Sequence, residues 1–162
     1  RLYGGFYLAE LLDGLSEEYD PHPGLYDQAV AALHRLNDLD ANPRLAIVCF
    51  ELALLREIGH LPNLEECLVC GRATDGRAPY AFWVSQGGLL CRSCQKKEYR
   101  RNRLKLESVH LLNELAQQDA VVPADVDAET VRQMSNVTTT AVTYYLGRPP
   151  RTLRYLQPIR KR

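Results

Sequence analysis

The chain has 162 residues, of which 46% are apolar and 25% are charged, as is typical of one ordinary globular domain. No run approaches the ~20 apolar residues that a membrane-spanning helix needs, so the sequence excludes an integral membrane protein of that kind. The 20 basic and 20 acidic residues cancel overall, yet residues 1–66 hold four basic and twelve acidic residues, whereas residues 67–162 hold sixteen and eight. This asymmetry predicts two faces with different partners.

The chain opens with "RLYGGFYLAELL", which lacks both the basic region and the cleavage site of a secretory signal. We therefore expect a cytosolic protein. The sequence also lacks an initiating Met, so we expect it to be a processed or truncated piece of something longer. Apolar residues in positions 2–19 recur every three or four residues and predict a helix with one buried face. That face comprises Leu2, Phe6, Leu8, Leu11, Leu12 and Leu15.

Two further helices are predicted before the middle of the chain. The second spans about 25–39 and places Ala29, Val30, Leu33 and Leu36 on one side. The third begins at Pro43 with Asn42 as N-cap, and its stretch "RLAIVCFELALLREIGH" is apolar nearly all round. It is therefore expected to be the central, most buried helix, with Cys49 as a small core residue.

The second half predicts a short helix around "LESVHLLNELAQQ" and a longer one over about 127–146. The long helix has Asp127 or Asp125 as its cap and Gly147 as its end. Its "VTTTAVTYY" also suits a strand, but the length and the caps favour a helix. One side is expected to carry Val131, Met134, Thr138, Ala141 and Tyr145. The tail "RPPRTLRYLQPIRKR" is expected to be extended.

Four of the five cysteines form two C-x-x-C pairs separated by twenty residues, namely Cys67, Cys70, Cys91 and Cys94. This spacing is typical of a zinc site, because each pair supplies half of a tetrahedron. Between the pairs, alternating Tyr80, Phe82 and Val84 followed by "QGG" predict a hairpin that returns the second pair. Gly71, directly after Cys70, lets the backbone curl so that amides point at sulfur. Four thiolates leave no open position, so the zinc is predicted to be structural.

Other uses of four cysteines are less well supported by the sequence. Disulfides need an oxidising compartment, which nothing in the sequence indicates. A thioredoxin-like redox pair is found on a βαβ unit, which this helical chain does not offer. An iron–sulfur cluster more often shows a tighter motif. The predicted fold is therefore mainly α: a helical bundle-like domain formed by residues 1–66 and 95–162, with a small zinc ribbon inserted at 67–94.

The densest charge lies just after the second cysteine pair, where residues 96–105 hold six basic residues and one acid. Continued as a helix, this stretch would present a broad basic face with Tyr99 interleaved, suited to phosphates and base stacking. The same face could instead be solvated surface or a partner of the acidic half. The candidate DNA contacts are Lys96, Lys97, Arg100, Arg101, Arg103 and Lys105, extended in the tail by Arg151 and Arg154.

Catalytic motifs are not found in the sequence. It contains no phosphate-cradling glycine loop, no G-x-S-x-G and no H-E-x-x-H. The four histidines are scattered, and the adjacent pairs Glu17–Glu18 and Glu65–Glu66 point in different directions on a helix. We therefore predict a binding protein that is not an enzyme.

Four stretches resemble the C-terminal region of the RecO family of bacterial DNA repair proteins: "YLAELLDGL", "FELALLREIGHLPNLEECLVCG", "GGLLCRSC" and "YYLGRPPRTLRYL". The resemblance covers essentially the whole chain. It implies a helical domain with an inserted zinc segment and carries the metal site over to the four paired cysteines. Family members begin with an OB-fold of roughly 80 residues, which we do not find here, since an OB barrel shows short alternating strands.

The resemblance also implies a cytoplasmic, nucleoid-associated recombination mediator. Such a protein binds RecR, the acidic C-terminal tail of single-strand DNA-binding protein, and single- and double-stranded DNA, and indirectly helps to load RecA. Arg35 and Arg56 are our candidates for binding the tail's carboxylates. Two alternatives stay open: an unrelated zinc-ribbon accessory factor that binds nucleic acid, and an enzyme using zinc or a cysteine nucleophile.

Overall fold

The computed structural model describes residues 1–16, 21–74, 76, 78–95, 103–118 and 120–156. Six helices and four short strands are found in this part of the chain. In chain order they are α1 (Leu2–Leu15), α2 (Pro23–Asn37), α3 (Pro43–Glu57), β1 (Asn63–Cys67), β2 (Tyr80–Trp83), β3 (Gly88–Leu90), β4 (Arg103–Leu104), α4 (Leu106–Leu115), α5 (Ala128–Leu146) and α6 (Leu153–Leu156). A 3₁₀ turn at Val84–Gln86 joins β2 to β3.

Helix α3 is the centre of the molecule, as predicted. It begins at Pro43, and the side chain of Asn42 accepts hydrogen bonds from the amides of Arg44 and Leu45. These bonds satisfy amides that have no partner within the helix. Eleven consecutive residues from Leu45 to Leu55 are buried, since α1, α2 and α5 all pack against α3.

Helix α5 is the long helix predicted before the C-terminal tail. The carboxylate of Asp127 accepts hydrogen bonds from the amides of Glu129 and Thr130. The helix ends at Gly147, whose φ of 72° lies in the left-handed region that favours glycine. The segment "VTTTAVTYY" is therefore helical, and its β-branched residues pack against α3.

The predicted buried face of α1 is wrong at its N-terminal end. Leu2 is 71% exposed and Phe6 is 54% exposed, whereas Tyr7 is buried. On α2, the predicted Leu33 is also exposed, at 48%. The reason is the close approach of the two helices at Gly4: a Cβ there would lie 3.0 Å from Leu36 Cδ2. This contact turns Gly4 inward and leaves its neighbours outside.

The four strands form one small sheet in the order β1-β3-β2-β4. The predicted hairpin is confirmed by the antiparallel pairing of β2 with β3, in which Phe82 is opposite Leu89. However, Val84 begins the 3₁₀ turn instead of extending the strand. β1 pairs with β3 in parallel, and β4 adds to the free side of β2. The helical interpretation of residues 96–105 is therefore wrong at Arg103 and Leu104, which form a strand.

We call the six helices the helical body, and the sheet with its two cysteine turns, residues 63–95 and 103–104, the ribbon. The ribbon is packed onto the body, since β1 contacts α4 and β4 contacts α5. The tail is helical at Leu153–Leu156, so the expectation of an extended tail is wrong there. No helix in the described residues is both long and apolar enough to cross a lipid bilayer.

Candidate metal centre and binding surfaces

The four paired cysteines converge at one end of the ribbon. Their sulfur atoms all lie within 4.8 Å of one another, and Cys70 Sγ is 3.8 Å from Cys91 Sγ. A tetrahedral zinc ion with Zn–S bonds of about 2.3 Å places its sulfurs about 3.8 Å apart. The cluster therefore fits a four-coordinate metal ion, and its all-sulfur donor set is the type that zinc and iron–sulfur centres use.

The sheet places the two cysteine pairs side by side. Cys67 ends β1 and Cys91 follows β3, and the parallel pairing of these strands lets the Cys91 amide donate to Cys67 Sγ at 3.3 Å. Gly71 has a φ of 65°, and its amide donates to the carbonyl of Cys67 at 2.8 Å. This tight turn brings the first pair together. A similar turn closes the second pair, where the Cys94 amide donates to the Cys91 carbonyl at 3.0 Å.

The surroundings of the cluster favour the thiolate form of Cys67 and the thiol form of Cys94. Burial raises the pKa of Cys67, but hydrogen bonds from backbone amides, that of Cys91 above all, outweigh it and hold the pKa below its usual value. The hydrogen bond with Cys91 and then burial raise the pKa of Cys94. Four adjacent thiolates repel one another unless a cation lies between them, which is what a metal ion supplies.

The predicted DNA contacts fall into three groups. Lys96, Lys97, Arg100 and Arg101 lie outside the described residues. Arg103 is exposed on β4. The ammonium of Lys105 lies 3.0 Å from carboxylate oxygens of both Glu107 and Asp127. These contacts raise the pKa of Lys105, and the hydrogen bond to Asp127 contributes most. The charge of Lys105 is thus already balanced within the chain.

Arg151 and Arg154 lie in the tail, which is hydrogen-bonded to α1. The carboxylate of Glu10 accepts hydrogen bonds from the amides of Arg151 and Thr152, at 2.8 and 2.9 Å. The Arg154 guanidinium lies 4.7 Å from the ring centre of Tyr155, which in turn stacks on Tyr3. Both arginines remain exposed.

Arg35 and Arg56, the candidates for binding the acidic tail, line one groove on the helical body. The groove has a volume of about 270 Å³. Arg56 Nη1 donates to the carbonyl of Ala116 at 3.0 Å, so this guanidinium is fixed in place. The rest of the wall is mixed, with the amides of Gln28 and Gln117 beside the apolar side chains of Ala31, Ala53, Leu115, Ala120 and Val122. We call it the arginine groove.

Cys49 also lines the arginine groove but is 9% exposed. Burial raises the pKa of its thiol to about 11, although the positive charge of Arg35 acts in the opposite direction. A thiol with a raised pKa is a poor nucleophile at neutral pH. This supports the prediction that Cys49 is a core residue.

The sequence analysis missed Glu51, which is fully buried in α3. Three hydroxyls converge on its carboxylate: those of Tyr7 at 2.5 Å, Thr138 at 2.5 Å and Thr139 at 2.9 Å. Burial raises the pKa of Glu51 to about 7, with the three hydrogen bonds opposing it. The available signal was one acid inside an otherwise apolar helix, but its partners come from α1 and α5.

Almost the full length of the chain matches one known protein family. Residues 1–154 match the family described as "Recombination protein O C terminal". The chain belongs to this family. The resemblance to the RecO C-terminal region is thereby confirmed, and the helical fold with a four-cysteine ribbon agrees with it.

Curated relatives named "DNA repair protein RecO" match over most of this chain. That of Exiguobacterium sibiricum is 32% identical over 155 residues, covering 94% of this chain and 61% of the relative. The Rhodopirellula baltica protein is 31% identical over 131 residues, covering 80% and 48%. A Listeria monocytogenes protein is 29% identical over 157 residues, covering 96% and 60%. The chain thus spans about half to three-fifths of these relatives' lengths.

Proposed function

We propose that this chain is the helical, partner-binding part of a recombination mediator in DNA repair and has no active site of its own. The observation that carries the proposal is the match of residues 1–154 to the RecO C-terminal family. On this proposal the chain works in the bacterial cytoplasm, associated with the nucleoid. It binds RecR, the tail of single-strand DNA-binding protein and DNA, and so contributes indirectly to loading RecA.

The metal of the ribbon is proposed to be zinc with a structural role. Cys67, Cys70, Cys91 and Cys94 would fill all four positions of a tetrahedral ion, which leaves none for water or substrate. The ribbon is also fastened to α4 and α5. That arrangement differs from an independent end domain, which the alternative of an unrelated zinc-ribbon factor expects.

The arginine groove is the proposed docking site for the acidic tail. A tail rich in carboxylates and apolar side chains needs cations beside an apolar wall, and this groove provides both. Arg56 is held against Ala116, and Arg35 lies on the facing helix α2. A guanidinium that is already fixed loses little conformational entropy when it binds a carboxylate.

DNA binding is proposed to use the basic second half of the chain. Arg103, Arg151 and Arg154 are exposed there, and residues 96–101 add four more cations in the sequence. Contacts of this kind release counterions, so the affinity for DNA should fall steeply with salt.

The proposal is tested by titrating the chain into a fluorescein-labelled peptide that carries the acidic tail of single-strand DNA-binding protein and following fluorescence anisotropy. We expect saturable binding that a scrambled peptide of equal charge does not reproduce. Arg35→Gln should weaken binding by about tenfold to a hundredfold, since an arginine–carboxylate contact contributes ~1.5–3 kcal/mol. Arg44→Gln is the matched control, because Arg44 is exposed at the start of α3 outside the groove.

Equal binding of the two peptides, or equal loss with Arg35→Gln and Arg44→Gln, would contradict docking in the groove. Arg35 is preferred to Arg56 for this test, because Arg56→Gln also removes the hydrogen bond to the Ala116 carbonyl. A fall in peptide affinity could then reflect a disturbed fold.

A further inference from the structure

A second cleft lies on the ribbon, beside the cysteine cluster. It has a volume of about 380 Å³. Its lining residues are Arg72, Ala73, Ala78, Tyr80, Cys91, Arg92 and Ser93. We call it the ribbon cleft. It belongs to the ribbon alone and is distinct from the arginine groove, whose walls are on the helical body.

Neither of the two guanidinium groups of the ribbon cleft has an acidic partner among the described residues. Arg72 and Arg92 are both exposed, and within the described part of the chain neither forms an ion pair. Arg148, in contrast, is paired with Glu10 at 3.0 Å. Two unpaired guanidinium groups at one concave site attract an anion, and their planar forks fit the oxygens of a phosphate.

Tyr80 gives a separate indication of a ligand. Its side chain is 1% exposed, and its hydroxyl oxygen is buried without a hydrogen-bond partner among the described residues. Leaving a buried hydroxyl unpaired costs about 1–3 kcal/mol, so such a group calls for an explanation. Tyr80 lines the ribbon cleft together with the exposed Ser93. A phosphate that enters the cleft and displaces the atoms covering the Tyr80 hydroxyl would accept its hydrogen bond.

The residues that flank the most basic segment of the chain, 96–103, also lie near the ribbon cleft. Before it, Gln95 Nε2 donates to the carbonyls of Pro79 at 2.7 Å and Leu90 at 3.2 Å. After it, Leu104 pairs with Tyr80 across β4 and β2. Gln95 and Leu104, the described residues on either side of the segment 96–103, therefore both lie close to Tyr80, and that segment carries five basic residues in the sequence.

We propose that the ribbon cleft binds a backbone phosphate of single-stranded nucleic acid through Arg72, Arg92 and the hydroxyl of Tyr80. This inference rests on the proposed function, because it names the part of the chain that would meet DNA. Cys91 also lines the cleft, and its sulfur carries negative charge when it holds a metal. The competing explanation is that the two arginines only balance the charge of the thiolates.

The test uses the metal-loaded 162-residue chain and a labelled oligothymidine of about 20 nucleotides, longer than one single-strand site. Binding is followed by anisotropy at several salt concentrations. We expect Tyr80→Phe to weaken binding at least about tenfold through the lost hydrogen bond to a charged group. We expect Arg72→Gln with Arg92→Gln to reduce the slope of log K against log salt by about 0.7 for each lost contact. Tyr26→Phe and Arg44→Gln, at exposed positions on the body, are the matched controls.

Melting temperature and bound metal are measured for every variant. Because the Tyr80 hydroxyl has no hydrogen-bond partner among the described residues, Tyr80→Phe should melt no lower than the wild type while binding DNA more weakly. Unchanged DNA affinity in Tyr80→Phe, or loss of metal without loss of DNA affinity in the double arginine variant, would overturn the phosphate site and leave the proposed function intact. No binding of DNA by the wild-type chain would overturn the site and the DNA-binding part of the proposed function together.

Discussion

The helical body and the ribbon are stabilised by different means. In the body, α3 is surrounded by α1, α2 and α5, and its largest buried side chains, such as Phe50 and Leu54, belong to one continuous apolar core. The ribbon adds side chains such as Phe82 and Leu89 to the edge of that core. The ribbon has four strands of two to five residues, and its four sulfurs gather at one end. A unit this small buries too little surface to be stable by itself.

The helical body and the ribbon should therefore respond to different perturbations. The ribbon should depend on its metal, whereas the body should depend on its core and on the buried polar cluster around Glu51. The two regions also present different candidate sites, an arginine groove on the body and a phosphate cleft on the ribbon. Changes in one region should therefore leave most properties of the other intact.

The largest effect is expected when the metal site is removed. In Cys67→Ser combined with Cys91→Ser, two of four ligands are lost, so we expect the protein to retain no zinc and the ribbon to loosen. Hydrogen exchange should rise sharply in residues 63–95, while the helical circular dichroism signal stays close to that of the wild type. Elemental analysis measures the bound metal.

The matched control for that experiment is Cys49→Ala, which removes a buried cysteine of the body. This variant should keep its zinc. Unchanged metal content in the double cysteine variant would rule out the four-cysteine site, and loss of the helical signal would show that the body is not independent of the ribbon.

The next largest effect concerns Glu51. Its folded-state pKa of about 7 lies above the ordinary 4.5, so folding favours the protonated carboxyl. The stabilisation is fully present below about pH 4.5 and is lost as the pH rises through about 7. Glu51→Gln lacks this titration. The free energy of unfolding of the variant minus that of the wild type should therefore rise by about 3 kcal/mol between about pH 4 and 8, because only the wild type loses this stabilisation.

Urea denaturation at several pH values measures this difference, and the comparison with Glu51→Gln cancels groups that titrate in both proteins. The amide can keep the cluster satisfied, because Thr138 Oγ1 also lies 3.3 Å from the carbonyl of Met134 and can donate there. A difference in stability that does not vary with pH would show that the folded-state pKa of Glu51 is close to the ordinary 4.5.

The smallest of the three effects is expected at the cap of α3. Asn42→Ala removes the acceptor for the amides of Arg44 and Leu45 and should cost about 1 kcal/mol of stability. That corresponds to a melting temperature about 2–4 °C lower for a chain of this size. Asn42→Asp keeps an acceptor and should melt close to the wild type. Equal losses in both variants would mean that the cap does not stabilise the body.

Much of the fold could be predicted because its signals are local in the sequence. Asn42 with Pro43 marks the start of α3, and Asp127 with Gly147 marks the two ends of α5. The spacing of the four cysteines predicts their convergence, because each C-x-x-C pair lies on one short turn, the first after β1 and the second after β3. Each of these features needs few residues from elsewhere in the chain.

The features that were missed depend on contacts between distant segments. The exposure of Leu2 and Phe6 follows from the approach of α2 to Gly4, which apolar spacing within α1 cannot reveal. The partners of Glu51 are at positions 7, 138 and 139. The parallel pairing of β1 with β3 and the addition of β4 likewise join segments that no local pattern connects.

On the proposals above, protein docking belongs to the body, and the ribbon supplies the main contact with DNA. The most direct test repeats the tail-peptide titration on chain whose metal has been removed with a chelator, with the oligothymidine titration in parallel. We predict that the Kd for the tail peptide stays within about twofold of its metal-loaded value while DNA affinity falls about tenfold. Loss of peptide binding together with the metal, or DNA affinity that does not change, would contradict the division between the two regions.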